Sequence, residues 1–336
     1  MKSAWTRISI VMLTVVIIIA GGELVVRHKL PGYATPPPHP PCRHDDVLGW
    51  RNQATAGELP SLSSHRQTVM VSHTADGRRI TSPDKGNMDD RGQVVVIGDS
   101  LTYGYGLSDE ETWPWLLQQR TPCTRVLNYG TPGYGTYQCL LTLERILPEL
   151  SSPRIVLYGF LEHHLVRNVA PPSWRAVLNM NRGQEARLPY VSIDQEDRLI
   201  RHPAASVRPW PFSRSLALVR FSQVMVLSTL QGREYFKAMD MAWQRLMTEM
   251  RDLCAARGAR LVVVVLGIDH RQEKFFYTTF FERNGIPFID ADMDMAPDMF
   301  LEKDPSHPNH RANAAWADII SRHVFCDPKT AQVVFD

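Results

Sequence analysis

Two stretches of this sequence carry side chains that, brought together, make a nucleophile and its base. In the first, Val94-Val95-Val96-Ile97 is an unbroken β-branched run that stops at Gly98-Asp99-Ser100. Such a run marks a strand buried on both faces. The glycine permits a sharp turn, which leaves Ser100 at the carboxyl end of the strand, where open α/β sheets hold their ligands. Gly104 and Gly106 keep the next loop thin, so a substrate can approach backbone amides. The second stretch is Asp304-Pro305-Ser306-His307-Pro308-Asn309. Its prolines predict a loop in which Asp304 accepts a hydrogen bond from one ring nitrogen of His307. The other nitrogen is then a base for a hydroxyl delivered from elsewhere in the chain.

The elements that would position these groups alternate. After the Ser100 loop, Thr112–Arg120 reads as a helix, capped by Thr112 with Pro114 in its first turn. A second strand follows at 125–129, a helix at 137–147 ended by Pro148, and a third strand at 154–158. A long helix at 234–257 stops at Gly258, ahead of strands at 261–266 and 286–289, and a last helix starts near Arg311. Alternation of this kind predicts a parallel sheet covered on both faces, a three-layer α/β/α sandwich. Two segments break the rhythm. Residues 45–92 are polar with short β signals, among them a hairpin over 68–81 turning at Asp76-Gly77, and read as a small β appendage. Residues 165–232, rich in aromatics and arginines and with a hairpin near 189–200, read as an insertion capping the site. Its surface suits either sugar stacking or scaffold packing.

Residues 8–20 are apolar and follow Lys2 and Arg7; extended to Gly22, the run makes about 22 Å of helix. This predicts a signal peptide or, preferentially, an uncleaved membrane anchor over residues 1–26. The Pro-rich linker of 27–44, with a stiff extended spacer at 31–41, would hold the domain away from a membrane. The large domain is then expected outside the cytoplasm, anchored in the cytoplasmic membrane, or secreted if the segment is cleaved. A formal net charge of +2 lacks the basic field that nucleic-acid binding needs. The five cysteines have no zinc spacing, and their odd number leaves at least one thiol outside any intramolecular disulfide. Asp290-x-Asp292-x-Asp294 departs from a calcium loop at Met295 and Leu301, and adjacent His163 and His164 would point to opposite faces of a strand. No metal and no cofactor is expected.

Over residues 93–328 the sequence resembles the SGNH (GDSL-type) hydrolase superfamily. The first block matches Gly98-Asp99-Ser100-Leu101, the second Asn128-Tyr129-Gly130-Thr131-Pro132-Gly133, and the last Asp304 and His307. The third block departs: the strand before Gly159 is present, but Leu161, Glu162 and His163 stand where Gly-x-Asn-Asp is expected. The resemblance implies a flavodoxin-like strand order and a serine esterase whose triad is Ser100, Asp304 and His307. Its oxyanion donors would be the amides of Ser100 and Gly133, with Leu161 in one alignment of the third block, or Glu162 in the other, in the place of the missing asparagine. Asp99, Tyr103 and His163 are expected beside the substrate. An O-acyl, preferentially acetyl, ester on a carbohydrate or envelope polysaccharide is the expected substrate. The alternatives are transfer of acetyl groups onto an exported polysaccharide and a catalytically silent glycan-binding or assembly module.

Overall fold

The structure is a computed structural model and describes residues 2–34, 40–83, 92–182, 186–230, 233–268, 271–330 and 332–336. The chain starts with helix α1 (Lys2–Lys29) and two antiparallel hairpins, β1 (Cys42–Asp45) with β2 (Gly49–Asn52) and β3 (Thr55–Pro60) with β4 (Thr68–His73). The main sheet follows with β5 (Gly92–Ile97), the short α2 (Ser100–Tyr103), α3 (Trp113–Arg120), β6 (Thr124–Asn128), α4 (Thr136–Ile146), β7 (Pro153–Leu161) and α5 (His164–Val169). Helix α6 (Pro172–Arg182), the hairpin β8 (Leu188–Ile193) and β9 (Leu199–Ala205), and α7 (Ala217–Thr229) make up the insertion. Next come α8 (Arg233–Ala256), β10 (Arg260–Gly267), α9 (Arg271–Arg283) and β11 (Phe288–Asp290). The chain closes with β12 (Phe300–Leu301), β13 (Asp304–Pro308), α10 (His310–His323), β14 (Val324–Cys326) and β15 (Val333–Phe335).

Five parallel strands stand in the order β11-β10-β7-β5-β6, the flavodoxin-like order. Successive side chains of a strand point to opposite faces. On one face Val94, Val96, Ile155, Leu157, Val262 and Val264 pack against Trp113 and Leu117 of α3 and Trp316 and Ile320 of α10. On the other, Phe160 meets Trp243 of α8 and Tyr277 and Phe281 of α9, while the Tyr158 hydroxyl bonds Thr136 of α4. Both faces are covered, which is why the strands read as continuous apolar runs instead of alternating ones.

By its contacts the chain divides into two units: 40–169, 189–204 and 236–336, holding the sheet, and 1–39, 170–188 and 205–235, which are mostly helical. The 165–232 insertion is therefore split, its β8–β9 hairpin belonging with the sheet and α6 and α7 with α1. Two local expectations change. The principal pairing of the appendage is β3 with β4; the Asp76-Gly77 turn does form, with the Thr74 amide on the Arg78 carbonyl and the Ile80 amide on the Ser72 carbonyl, but its return arm makes a bridge between His73 and Arg79 and no full strand. The start of the supposed extended spacer, Pro31–Tyr33, is a 3-10 turn, because Tyr33 finds the Phe221 ring of α7 at 5.4 Å, edge on. The rest of that spacer at 35–39, and residues 84–91 of the appendage, lie outside the described residues.

One disulfide, Cys123–Cys326, ties the entry of β6 to β14 across 203 residues. Closing so long a loop chiefly restricts the unfolded chain, so replacing both cysteines by serine is expected to cost about 2–5 kcal/mol of stability. Thermal melts of the pair variant, and of the native chain with and without reductant, check this.

A second prediction arises where the appendage meets the sheet. His73 is buried, its Nδ1 donating to the Gln53 carbonyl at 2.9 Å and its Nε2 accepting from the Tyr103 hydroxyl at 2.9 Å. Burial pushes its pKa down to about 4, so the folded state holds a neutral ring. Below about pH 6.5 the unfolded chain takes up a proton that the folded chain refuses. Stability from this group is therefore complete above that pH and falls by about 1.4 kcal/mol per unit as the pH drops towards 4. Denaturant titrations at pH 7, 5.5 and 4.5 should show this slope in the native chain and lose it in His73→Gln.

Candidate active site

Ser100 owes its position to the glycine two residues before it. Gly98 has φ 155°, and a Cβ there would stand 2.1 Å from Thr102 Oγ1 and 3.0 Å from the Gly159 carbonyl. No other residue fits that turn. Asp99 caps α2 by accepting the Leu101 amide at 3.0 Å, and Gly104 (φ 82°) closes the helix in the left-handed conformation with its N–H on the Ser100 carbonyl. Ser100 is thus fixed through its backbone on both sides. Arg79 of the appendage is buried beside the loop that follows. It donates to the carbonyls of Tyr103, Gly104 and Leu107 and pairs with Asp109 at 2.9 Å. A buried cation with that many acceptors holds the loop shut, and the sequence offered no periodic signal for it.

Asp304 and His307 lie on β13, paired antiparallel with β12, where the prolines had predicted a loop. Asn309 caps α10 by accepting the Arg311 amide, and its side-chain amide donates to the carbonyls of Asp298 and Phe300. This fixes the segment that carries the imidazole. His307 Nε2 stands 3.1 Å from Ser100 Oγ, and its Nδ1 stands 2.8 Å from Asp304 Oδ2. Burial raises the Asp304 pKa, but the hydrogen bond and charge of His307 outweigh it and hold the carboxyl down at about 2. Asp304 is an anion at any working pH and fixes the proton on Nδ1, leaving Nε2 as acceptor for the serine hydroxyl. The Tyr105 ring, 4.5 Å from the imidazole between centroids, forms a wall behind it.

The loop after β6 is held from outside. The Trp50 indole donates to the Pro132 carbonyl at 3.1 Å, and Asn52 donates to the Gly130 carbonyl at 3.1 Å. Asn128 accepts the Gly130 amide and donates to the Thr102 carbonyl, tying this loop to α2. In a trans peptide the C=O and the following N–H point in opposite directions. Fixing the Pro132 carbonyl on Trp50 therefore aims the Gly133 N–H away from Trp50, and Gly133 holds φ 85° to allow it.

At the altered third block, the end of β7 supplies no amide side chain. The Glu162 carboxylate instead acts on the buried Tyr277 hydroxyl, whose pKa burial and that charge push up, and His163 is exposed on the following turn. The groups that reach the Ser100 side come from α5. Arg167 Nη1 donates to Asp99 Oδ2 at 2.6 Å and to the Tyr134 carbonyl at 2.8 Å. His164 Nδ1 bonds the Tyr158 hydroxyl at 2.6 Å, and its Nε2 lies 3.6 Å from Asp99 Oδ2, beyond hydrogen-bond range; burial lowers the pKa of this ring and favours its neutral form. Asp99 is completely buried; burial raises its pKa, but Arg167 and His164 prevail and hold it well below the usual carboxylate range. Its Oδ2 is 3.5 Å from Ser100 Oγ.

Two of the residues expected beside the substrate are structural instead. Asp99 is sealed against Arg167, and Tyr103, 1% exposed, has its hydroxyl on His73 and its ring under the Arg79 guanidinium. Arg167, His164, Tyr105, Trp50 and Arg79 emerge only from the structure. For Arg167 a signal existed: a helix begins where the third block loses its asparagine, and an arginine lies on its first turns. Asp290 and Asp292 of the acidic triplet are engaged by Lys274, at 2.7 and 3.2 Å.

No family model matches this sequence, and no curated protein matches it. Among solved structures, the chain is similar to a psychrotrophic esterase, EstA, from Pseudoalteromonas sp., at 18% identity and TM-score 0.40 over 69% of this chain and 95% of that one. It is also similar to a lipolytic protein of the G-D-S-L family from Veillonella parvula, at 12% identity and TM-score 0.39 over 68% and 96%. A third, a putative lipolytic protein of the same family from Desulfitobacterium hafniense, shows 13% identity and TM-score 0.39 over 69% and 99%.

Proposed function

We propose that this chain is a serine ester hydrolase of the SGNH type. The observation that carries the reading is the line Ser100 Oγ, His307 Nε2, His307 Nδ1, Asp304 Oδ2, with steps of 3.1 and 2.8 Å across the ring. Ser100 Oγ attacks the acyl carbon while its proton passes to His307 Nε2. The carbonyl oxygen takes the electron pair and is held by the amides of Ser100 and Gly133. Collapse expels the alcohol, which leaves with the proton from Nε2. Water then attacks the acyl-enzyme with Nε2 again as base and releases the acid. Arg167 neutralises Asp99, so the nucleophile does not face an unpaired carboxylate while negative charge develops beside it.

The N-terminal helix, Ala4–Lys29, is long and apolar enough to serve as a membrane anchor or signal sequence, its most apolar 18 residues having a mean hydropathy of 2.5. We read it as a retained anchor with the sheet unit outside the cytoplasm. The disulfide supports that side, since such bonds persist in oxidising compartments. An O-acyl ester on an envelope carbohydrate is the substrate class that suits this placement. Transfer to a sugar hydroxyl would use the same acyl-enzyme, and supplying acyl donor with and without carbohydrate separates the two.

The test is a fluorophosphonate probe on the purified full-length chain, followed by peptide mapping. The adduct is expected on the Ser100 peptide and absent from Ser100→Ala. An unlabelled native chain, or an adduct that persists in the variant, would overturn the assignment.

A further inference from the structure

The mostly helical unit carries an apolar and basic surface that ester hydrolysis does not use. Helix α7 begins without a cap of its own: Leu216 precedes it, and no side chain there accepts its first amides. Those amides are taken by Glu23 of α1, whose two oxygens accept from Ala217 N at 3.0 Å and Leu218 N at 2.8 Å. Arg27, one turn along α1, pairs with the same carboxylate at 2.6 Å and donates to the Ser215 carbonyl at 3.1 Å. Gly22 makes room for the crossing, since a Cβ there would lie 3.1 Å from a Leu218 methyl. An acid near the end of an apolar helix is thereby fully engaged, by a helix N-terminus and an arginine. That engagement also gives α1 a structural partner, which a discarded targeting segment does not need.

The contact places the start of α7 at the level where the apolar stretch of α1 ends. In a bilayer this level is the headgroup boundary, where tryptophan rings sit and where interfacial segments combine Trp, Phe or Leu with Lys and Arg. The chain leading into α7 has that composition: Arg208-Pro209-Trp210-Pro211-Phe212-Ser213-Arg214. Arg208, Trp210, Phe212 and Arg214 are all exposed. Phe212 is 74% exposed and sits at φ 63°, a left-handed conformation that bulky residues rarely adopt. Two bonds hold the turn to α7: Gln223 accepts the Trp210 amide at 3.2 Å and donates to the Arg208 carbonyl at 3.1 Å. The turn is thus built to display an aromatic side chain. Helix α7 continues the apolar surface with Met225 and Val226, both exposed, and Leu230 beyond its end.

We infer that the Arg208–Arg214 turn and α7 lie in the headgroup layer of the membrane that α1 spans, so that the anchor and the insertion form one bilayer-docking surface. This rests on α1 being retained in a membrane, as proposed above. It takes Trp210 and Phe212 out of the sugar-stacking role their composition suggests.

The test places a benzoylphenylalanine photocrosslinker, one position at a time, at Phe212, at Trp5 within α1, and at Arg198 on the β8–β9 turn. The full-length chain is reconstituted in phosphatidylcholine–phosphatidylglycerol vesicles, and lipid adducts are counted by mass spectrometry. Adducts are expected at Trp5 and at Phe212, with Phe212 at least tenfold above Arg198. Adducts at Trp5 with Phe212 no higher than Arg198 would overturn the docking surface and leave the anchor standing. No adducts at Trp5 would overturn the anchor and the docking surface together, while fluorophosphonate labelling of Ser100 would be untouched.

Discussion

Replacing His307 by alanine is expected to lower kcat for ester hydrolysis by about 10⁴–10⁶-fold with the fold intact. The imidazole is the sole group among the described residues hydrogen-bonded both to Ser100 Oγ and to a carboxylate. Without it the serine must lose its proton to water, and the leaving alcohol must depart without one. Removing the ring should cost little stability, because its side chain is already 23% exposed and its main packing partner is the Tyr105 face. Asp304→Asn should produce a smaller but still large loss, about 10⁴-fold, because an amide that donates to Nδ1 favours the wrong tautomer. Steady-state kinetics on a short-chain aryl ester, beside circular dichroism of each variant, measures both. A folded His307→Ala within tenfold of the native rate would remove the mechanism.

The second large effect belongs to Arg167, which acts on Ser100 through Asp99. Replacing Arg167 by methionine leaves a completely buried carboxylate without its arginine, facing the Leu101 amide at 3.0 Å, Ser100 Oγ at 3.5 Å and the His164 ring at 3.6 Å. Breaking a buried pair from one side typically costs about 3–5 kcal/mol. The stranded carboxylate also lies 3.5 Å from the nucleophile, where it opposes every step that builds negative charge on Ser100 or the acyl oxygen. A fall in kcat of about 10²–10³-fold, with KM little changed, is the expected result, the size associated with losing one oxyanion donor. Adding Asp99→Asn to Arg167→Met removes the stranded charge and should restore most of the stability and part of kcat. A merely structural role for Arg167 would instead restore stability in the double variant while leaving kcat of the folded enzyme unchanged in both. The pH dependence has a fixed sign. The folded Asp99 pKa is depressed, so its contribution is present above the ordinary carboxylate pKa of 3.8 and is lost only as the pH falls below it. Arg167→Met should lose that contribution throughout the neutral range, and denaturant titration at pH 7 and pH 4 reads the difference.

How much of this was legible beforehand depends on the range of the interaction. The valine runs of β5 and β10 identify themselves because both faces of a parallel strand are buried, which leaves a continuous apolar signature. The Thr112 cap and Pro114 locate α3 for the same local reason: a helix start needs its first amides satisfied within a few residues. Gly98 is legible too, because only a residue without Cβ can stand that close to Thr102. From such local rules the sequence determined the sheet, its helices and the candidacy of Ser100, Asp304 and His307. It did not determine what surrounds them. The partner of Asp99 is 68 residues away on α5, the indole behind the Gly133 loop comes 82 residues ahead of Pro132, and the cap of α7 is Glu23 of α1, 194 residues from Ala217. No spacing encodes those pairs. They exist because a buried charge or an orphan amide takes whichever partner the folded chain delivers, and only the tertiary structure makes that delivery.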